Sequence, residues 1–188
     1  MTKHALVVIA PGSEEMEAVA CIDVLVRGGI KVTVASACPQ GKLQITASRG
    51  VKLVADVLLE AVADESFDML LLPGGIPGAE HLRDSKLLLK MLKAQQARGA
   101  WIAAICASPA LVLAHHDLLG QAKVTGYPGT EEKLANYFNA PVVVDDEAKL
   151  ITSKGPGTAI AFALSAVGRL SGIDTARRVA DGLLVVWP

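Results

Sequence analysis

Short apolar runs alternate with longer helix-like stretches along the chain, and this alternation constrains the fold more than any other feature. Runs that are apolar at nearly every position are typical of strands covered on both faces of a sheet. Five runs predict strands: residues 5–10, 31–36, 69–72, 101–105 and 142–145. The other stretches predict helices at residues 14–27, 85–98, 108–115, 159–170 and 175–183. We therefore predict an α/β fold with a mainly parallel sheet and helices on both faces.

We predict a single domain, residues 1–188, with a small hairpin beside the main sheet. The 188 residues are 52% hydrophobic and 20% charged, which is enough apolar material for a core. No linker, repeat or low-complexity tract interrupts them. Alternation around residues 48–50, within 43–58, predicts an antiparallel hairpin. In open parallel sheets, functional sites form at the carboxyl ends of the strands.

Charge and cysteine content argue against several classes of function. Lys plus Arg number 18 and Asp plus Glu number 19, and no basic stripe could follow phosphates, so we expect no nucleic-acid partner. The first apolar run is too short for a signal peptide or a membrane span, and no later run is long enough. Cys21, Cys38 and Cys106 are odd in number and show no metal-ligand spacing, so we expect no metal site. Free thiols in a chain without a predicted signal peptide indicate a reducing cytoplasm. The glycines match neither phosphate-loop pattern, so we expect no cofactor.

Three strands end in unusual sequences that should meet at one edge of the sheet. The first strand continues into PGSEEME at residues 11–17. The strand at 69–72 continues into PGG at residues 73–75, and the strand at 101–105 continues into CASP at residues 106–109. We therefore expect the functional residues to lie in these three segments.

Cys106 has the surroundings of a nucleophile. A sharp strand-to-helix turn that presents a nucleophile needs small residues two before and two after it, and Ala104 and Ser108 meet that need. Pro109 then falls in the first helical turn, where its missing N–H costs nothing. Because a helix N-terminus stabilises a thiolate, we predict a pKa below about 7 for Cys106. The alternative is a buried structural cysteine.

Two further features could serve this thiol. Gly74 and Gly75 allow the loop to direct backbone N–H groups inward, which with the N–H of Ala107 could form an oxyanion hole. The alternative is a plain tight turn. Glu17 lies one turn into the first helix and could share a proton with Cys106, in which case burial should raise its pKa and keep it protonated near neutrality. The alternative is a solvated surface acid.

The histidines do not supply the base that a conventional Cys–His enzyme needs. His4 precedes the first strand, at the opposite edge of the sheet from Cys106. His115 and His116 follow Cys106 by a distance of roughly 13–15 Å along a helix. His81, which follows the glycine loop, is the remaining candidate, and a surface role is expected for it.

Together these motifs resemble those of the ThiJ/PfpI superfamily, in the branch that contains the parkinsonism-associated protein deglycase and bacterial YajL-like proteins. Four segments that span nearly the whole chain carry the resemblance: ALVVIAPGSEEMEAV, LLPGGIPGA, AAICASPALVL and SKGPGTAIAFAL. The resemblance implies a flavodoxin-like three-layer sandwich and a homodimer.

The resemblance also implies roles for the central residues of the site. Cys106 matches the family's nucleophile, which is readily oxidised to sulfinate, and Glu17 matches the acid that hydrogen-bonds it. Gly75 and Ala107 match the oxyanion-hole backbone. Protease-like relatives place His directly after the cysteine, so Ala107 argues against peptidase activity.

Four further residues are predicted to line the site: Gly74, Tyr127, Arg27 and Arg49. The two arginines match basic residues that, in relatives, approach the site from the partner subunit. Tyr127 stands where some deglycase relatives carry a histidine, so proton transfer should depend on Glu17, on Tyr127 or on water.

The resemblance implies a cytoplasmic enzyme linked to oxidative and carbonyl stress. Its activities would be repair of glyoxal and methylglyoxal adducts on proteins, or a cofactor-free glyoxalase reaction, so we expect a hydrolase or lyase with small oxoaldehydes or glycated proteins as partners. One alternative is a redox-sensing holdase chaperone regulated by oxidation of Cys106. Another is a binding domain without turnover.

Overall fold

Seven strands form the main sheet, and six of them run parallel. The computed structural model describes residues 2–187. The strands in this range are β1 (His4–Ile9), β2 (Lys31–Ser36), β3 (Gln44–Thr46), β4 (Lys52–Val54), β5 (Val57–Leu58), β6 (Met69–Leu72), β7 (Trp101–Ile105), β8 (Val142–Asp145) and β9 (Leu150–Ser153). The main sheet has the order β5-β2-β1-β6-β7-β9-β8, with β8 antiparallel to β9. Strands β3 and β4 pair separately as an antiparallel hairpin.

Helices pack against this sheet in separate groups. The α-helices within residues 2–187 are α1 (Glu15–Arg27), α2 (Ile76–Asp84), α3 (Lys86–Ala97), α4 (Ala159–Ser171) and α5 (Ile173–Gly182). A π-helix, Pro109–Ala114, follows β7, and short 3₁₀ turns form at Leu59–Val62, Glu131–Lys133 and Pro156–Thr158. Helix α4 contacts α1, α5 and strands β7, β8 and β9, whereas α3 packs on β6 and β7. The fold is therefore a flavodoxin-like α/β sandwich: the alternation predicts the α/β fold with a mainly parallel sheet, and the resemblance implies the flavodoxin-like arrangement.

The core lies on both faces of the central strands. Residues 5–9 of β1 are at most 1% exposed, and all four residues of β6 are buried. This burial explains why residues 5–9 and 69–72 are all apolar. Helix α1 begins at an extended Glu14, whose carboxylate accepts a hydrogen bond from the backbone N–H of Glu17.

The sequence missed three elements. Helix α2 was not predicted because Pro77 and Gly78 in its first turn indicate a loop, although proline is tolerated at a helix start. Strand β9 is short and contains the buried polar residues Thr152 and Ser153, and β5 has two residues. The hairpin predicted within 43–58 is confirmed over β3 and β4, whereas Val57–Leu58 joins the main sheet. The helix predicted at 108–115 is the π-helix.

The carboxyl ends of β1, β6 and β7 lie side by side, as predicted. Strand β6 pairs in parallel with both β1 and β7, so the segments that follow these strands meet at one edge of the sheet. Two of these segments approach each other backbone to backbone. Gly75 has φ +82°, and a Cβ there would lie 2.3 Å from the carbonyl oxygen of Gly12. A side chain at either Gly75 or Gly78 would force the 11–14 and 73–78 segments apart.

Candidate active site

Cys106 lies at the turn between β7 and the π-helix, and its backbone has the strained geometry of a nucleophile elbow. Its φ is +65°, a left-handed value that residues other than glycine rarely adopt. Its N–H donates to the carbonyl oxygen of Ser153 at 2.9 Å, and its own carbonyl accepts from the N–H of Tyr127 at 2.9 Å. Both bonds hold the turn from the β9 side of the sheet. The residue is 7% exposed, so little of the thiol faces solvent.

Glu17 reaches the same place from the first turn of α1. Its side chain is fully buried, and its Oε2 accepts a hydrogen bond from the N–H of Gly74 at 2.7 Å. Its Oε1 has no hydrogen-bond partner within residues 2–187. The thiol of Cys106 nevertheless lies close enough to interact with the carboxyl. Glu17 and Cys106 therefore form a buried acid–thiol pair.

The carboxyl of this pair titrates far from its ordinary range. Burial raises the pKa of Glu17 from 4.5 to about 7, against the opposing effects of the Gly74 N–H and the Cys106 side chain, and the nearby Glu14 carboxylate raises it further. A group with this pKa carries a proton for about half of the time at neutral pH. The prediction of a raised pKa for Glu17 is therefore confirmed, and a solvated surface acid is excluded.

The prediction that the elbow and the helix start after it bring the pKa of Cys106 below about 7 is wrong. Burial, followed by the charge of an ionised Glu17, raises the pKa of the thiol to about 12, although the N–H groups of Gly75 and Ala107 oppose this. The helix that follows is a six-residue π-helix and does not outweigh these effects. Because an ionised Glu17 opposes a thiolate, the pair bears at most one negative charge near neutral pH.

Backbone donors converge on the sulfur. The N–H groups of Gly75 and Ala107 both interact with Cys106, and each favours the ionised thiol. The positive φ of Gly75 turns the loop so that its N–H faces the sulfur. Its carbonyl oxygen accepts a hydrogen bond from the N–H of Ala79 at 2.8 Å, in the first turn of α2. Donors placed in this way can also stabilise an oxyanion on a carbon bonded to the sulfur.

Comparison with known proteins identifies the family. The model of the DJ-1/PfpI family matches residues 3–169. The chain belongs to the DJ-1/PfpI family. It is 44% identical to protein dj-1beta of Drosophila melanogaster over the full length of both chains. It is 37% identical to the glutathione-independent glyoxalase DJR-1.2 of Caenorhabditis elegans, with 90% of each chain covered. The solved structure of oxidised Toxoplasma gondii DJ-1 superposes with a TM-score of 0.95 at 41% identity, covering 99% of this chain and 100% of that one.

In this DJ-1/PfpI protein the histidines make their contacts elsewhere. His4 Nε2 pairs with Thr33 Oγ1 at 2.8 Å, at the amino end of β1. His116 Nε2 pairs with the carbonyl of Arg83 at 2.7 Å, and His115 stacks edge-on against it. His81 lines a separate cavity of about 560 Å³. None of these contacts involves Cys106.

The residues predicted to line the site lie at different distances along the fold from Cys106: Tyr127 bonds the elbow itself, whereas Arg49 and Arg27 lie on other elements. Tyr127 is 47% exposed, and its ring lies against Gly155 while its N–H holds the elbow. Arg49 lies in the turn between β3 and β4, where its N–H donates to the carboxylate of Glu15. Arg27 is in the last turn of α1, the opposite end from Glu17, and pairs with Asp23 at 2.6 Å. Its role at the site therefore stays a prediction about a partner subunit.

Sequence reasoning missed the structural role of Glu15. Its carboxylate accepts from Ser48 Oγ and from the N–H groups of Arg49 and Val51, which ties α1 to the hairpin turn. Burial raises the pKa of Glu15, but these hydrogen bonds outweigh it and the net pKa is lowered. The sequence separation of the partners left no local signal of this contact.

The other two thiols are not part of a comparable acid–thiol pair within residues 2–187. Cys21 is fully buried, and burial raises its pKa strongly. Cys38 donates to Gln40 Oε1 at 3.1 Å. Within residues 2–187, no three His, Cys, Asp or Glu side chains converge as metal ligands. No helix in this range has both the length and the apolar character needed to cross a membrane.

Proposed function

We propose that this protein is a cofactor-free cysteine enzyme that acts on small 2-oxoaldehydes such as methylglyoxal, or on their early adducts with proteins. The observation that carries the proposal is the buried Glu17–Cys106 pair beneath the N–H groups of Gly75 and Ala107. A nucleophile, a proton donor with a pKa near neutrality and an oxyanion site therefore lie around one sulfur atom.

The first step is addition of the sulfur to the aldehyde. When the single negative charge of the pair lies on Cys106, Glu17 holds the proton. The thiolate attacks the aldehyde carbon, a C–S bond forms, and the electron pair of the carbonyl moves to its oxygen. The N–H groups of Gly75 and Ala107 stabilise that oxygen, and Glu17 donates its proton to give a hemithioacetal.

The second step moves a proton within the substrate. The Glu17 carboxylate removes the C–H proton of the former aldehyde carbon, giving an enediolate. The hydroxyl proton passes from the first oxygen to the second, and Glu17 returns its proton to the neighbouring carbon. One carbon is oxidised and the other reduced, so no external oxidant is required. The product is a lactoyl thioester on Cys106, which water hydrolyses to lactate while the sulfur leaves as the thiolate.

Similarity to a relative with a printed activity supports this choice of substrate. The Caenorhabditis elegans relative is named as a glyoxalase that does not depend on glutathione. For an adduct on a protein, the same thiolate would attack the hemithioacetal carbon or the aldehyde in equilibrium with it, which is the deglycase form of the reaction. We also propose that the chain belongs to the branch with the parkinsonism-associated deglycase and the YajL-like proteins. We further propose that it forms a single domain and is located in the cytoplasm.

A homodimer is part of the proposal. Helix α1 exposes a row of apolar side chains at Met16 (62% exposed), Val19 (49%) and Val26 (56%). Val51, in the turn that Glu15 ties to α1, adds a fourth at 49%. Several large apolar side chains exposed on one helix and the turn tied to it are typical of an interaction site. A second copy on this face would bring a partner's basic residues towards the site, the role predicted for Arg27 and Arg49.

Methylglyoxal turnover without glutathione tests the proposal. Purified reduced protein should convert methylglyoxal to lactate catalytically, and Cys106→Ser should abolish the conversion. Cys38→Ser is the matched control, because it removes a thiol of similar burial that takes no part in the pair. Adduct repair must be measured with free methylglyoxal removed, since scavenging the free aldehyde also dissociates reversible adducts. Unchanged turnover in Cys106→Ser would refute the mechanism.

A redox-sensing holdase is the second candidate. The same donors that would hold an oxyanion can hold the oxygens of a sulfinate, and a protonated Glu17 can donate to them. The similar Toxoplasma gondii structure is of an oxidised protein. For a sensor, peroxide-treated protein should suppress client aggregation better than reduced protein, with little turnover in either state. For an enzyme, peroxide should abolish turnover, because a sulfinate is not a nucleophile.

A further inference from the structure

Ser108 makes a contact that the mechanism above does not use. It follows the elbow and precedes the π-helix, the position at which serine commonly caps a helix. Its side chain makes no capping hydrogen bond. Its Oγ instead donates to the carbonyl oxygen of Pro73 at 2.6 Å, and the residue is fully buried. The hydroxyl is therefore committed to the loop after β6.

That loop is the one whose N–H groups surround the acid–thiol pair. The residue after Pro73 donates to Glu17 Oε2, and the next one interacts with the sulfur of Cys106. The contact from Ser108 is thus a side-chain hydrogen bond between the elbow and the segment that must be aligned with it. A shift of the loop away from the elbow would lengthen both donor contacts together.

We propose that Ser108 is a positioning residue, whose hydroxyl holds the 73–75 loop against the elbow and so aims the Gly74 and Gly75 N–H groups at the Glu17–Cys106 pair. The inference rests on the proposed function only in the chemistry assigned to that pair. Ser108 does not contact the substrate in this scheme; it acts through the loop. Its effect should therefore be visible in the titration of the pair, with or without an oxoaldehyde.

Ser108→Ala removes the hydroxyl that donates to the carbonyl oxygen of Pro73, so the 73–75 loop loses its hydrogen bond to the elbow. Both N–H groups favour the charged form of the pair, so their retreat should raise the apparent pKa at which the sulfur becomes reactive. The alkylation rate of Cys106 at neutral pH should fall about fivefold, the value for loss of one neutral hydrogen bond. The plateau rate at high pH should change much less.

Ser165→Ala is the matched control for this experiment. Ser165 Oγ also donates to a backbone carbonyl, that of Ala161 at 2.9 Å, and the residue is 9% exposed in α4. Iodoacetamide alkylation of Cys106 as a function of pH, followed by mass spectrometry, is measured for wild type and both variants beside their urea unfolding curves. We expect the pH profile to shift in Ser108→Ala alone.

A Ser108→Ala profile that coincides with that of wild type would overturn the proposal, whatever the loss of stability. Equal shifts in both serine variants would also overturn it, because the effect would then follow from stability. A shifted profile in a protein that fails to turn over methylglyoxal would refute the proposed function and leave the role of Ser108 intact.

Discussion

Replacing Glu17 by glutamine should remove a specific pH dependence of folding. The carboxyl ionises near 4.5 in the unfolded chain and near 7 in the folded protein. Between these values the unfolded state binds fewer protons, so stability falls as pH rises. At about 1.4 kcal/mol per pKa unit, the rise to about 7 corresponds to a loss of roughly 3 kcal/mol across this range. Glutamine cannot ionise, so the free energy of unfolding of Glu17→Gln should not show this fall between pH 4.5 and 7.

Urea unfolding at a series of pH values from about 4.5 to 8 measures this effect, since the free energy of unfolding is extrapolated at each pH. The experiment reports the number of protons on the pair and does not depend on whether oxygen or sulfur holds them. Glu15→Gln is the matched control. The pKa of Glu15 is lowered in the folded protein, so the stabilisation that Glu15 gives is lost as pH falls. The free energy of unfolding of Glu15→Gln should therefore still decrease with rising pH, because Glu17 is unchanged. Parallel curves for wild type and Glu17→Gln would refute the raised pKa.

Three further outcomes follow from the same geometry. Thiolate absorbance from Cys106 should stay low through neutral pH and develop only at alkaline pH, because burial and an ionised Glu17 raise the pKa of the thiol to about 12; a full thiolate signal near pH 7 would contradict this order of ionisation. Gly74→Ala would place a Cβ 2.5 Å from that of Cys106 and should cost about 1–3 kcal/mol in urea unfolding, whereas Gly157→Ala, which meets no atom within 4 Å, should be nearly neutral. Wild type should sediment as a dimer at micromolar concentration and Val19→Asp as a monomer; a wild-type monomer would contradict the homodimer.

The fold could be predicted from sequence because its central strands are buried on both faces. Residues 5–9 and 69–72 are apolar for that reason, and their lengths match the observed strands closely. Helix α2 could not be predicted in the same way, since Pro77 and Gly78 favour a loop until the contact of Gly78 with the backbone of Ser13 is known. The physical reason is that local propensity does not report long-range packing.

The convergence of Glu17 and the glycine loop on Cys106 and the raised pKa of Glu17 were predictable, but the raised pKa of Cys106 was not. Small residues around Cys106 indicate the elbow, and this signal is local in the sequence. The pKa of the thiol depends instead on its burial and on a carboxyl brought from α1. Neither the depth of Cys106 nor the direction of Glu17 is encoded by spacing. The donation from Ser108 to Pro73 is likewise a tertiary contact, which no motif marks.

The pH dependence of turnover offers a final test of how the pair works as a unit. The reactive form holds one proton, so kcat/KM for methylglyoxal should rise through about pH 7 as the pair loses its first proton, because kcat/KM reports the free enzyme. The second proton leaves only at strongly alkaline pH, since the pKa of Cys106 beside an ionised Glu17 is raised to about 12, so no falling limb is expected near neutrality. A Cys–His enzyme would show two limbs, because its histidine must also titrate. After correction for the base-catalysed reaction of methylglyoxal, Glu17→Gln should lose most turnover and displace the rising limb. A rising limb that stays in place in this variant would show that Glu17 does not share the proton of Cys106.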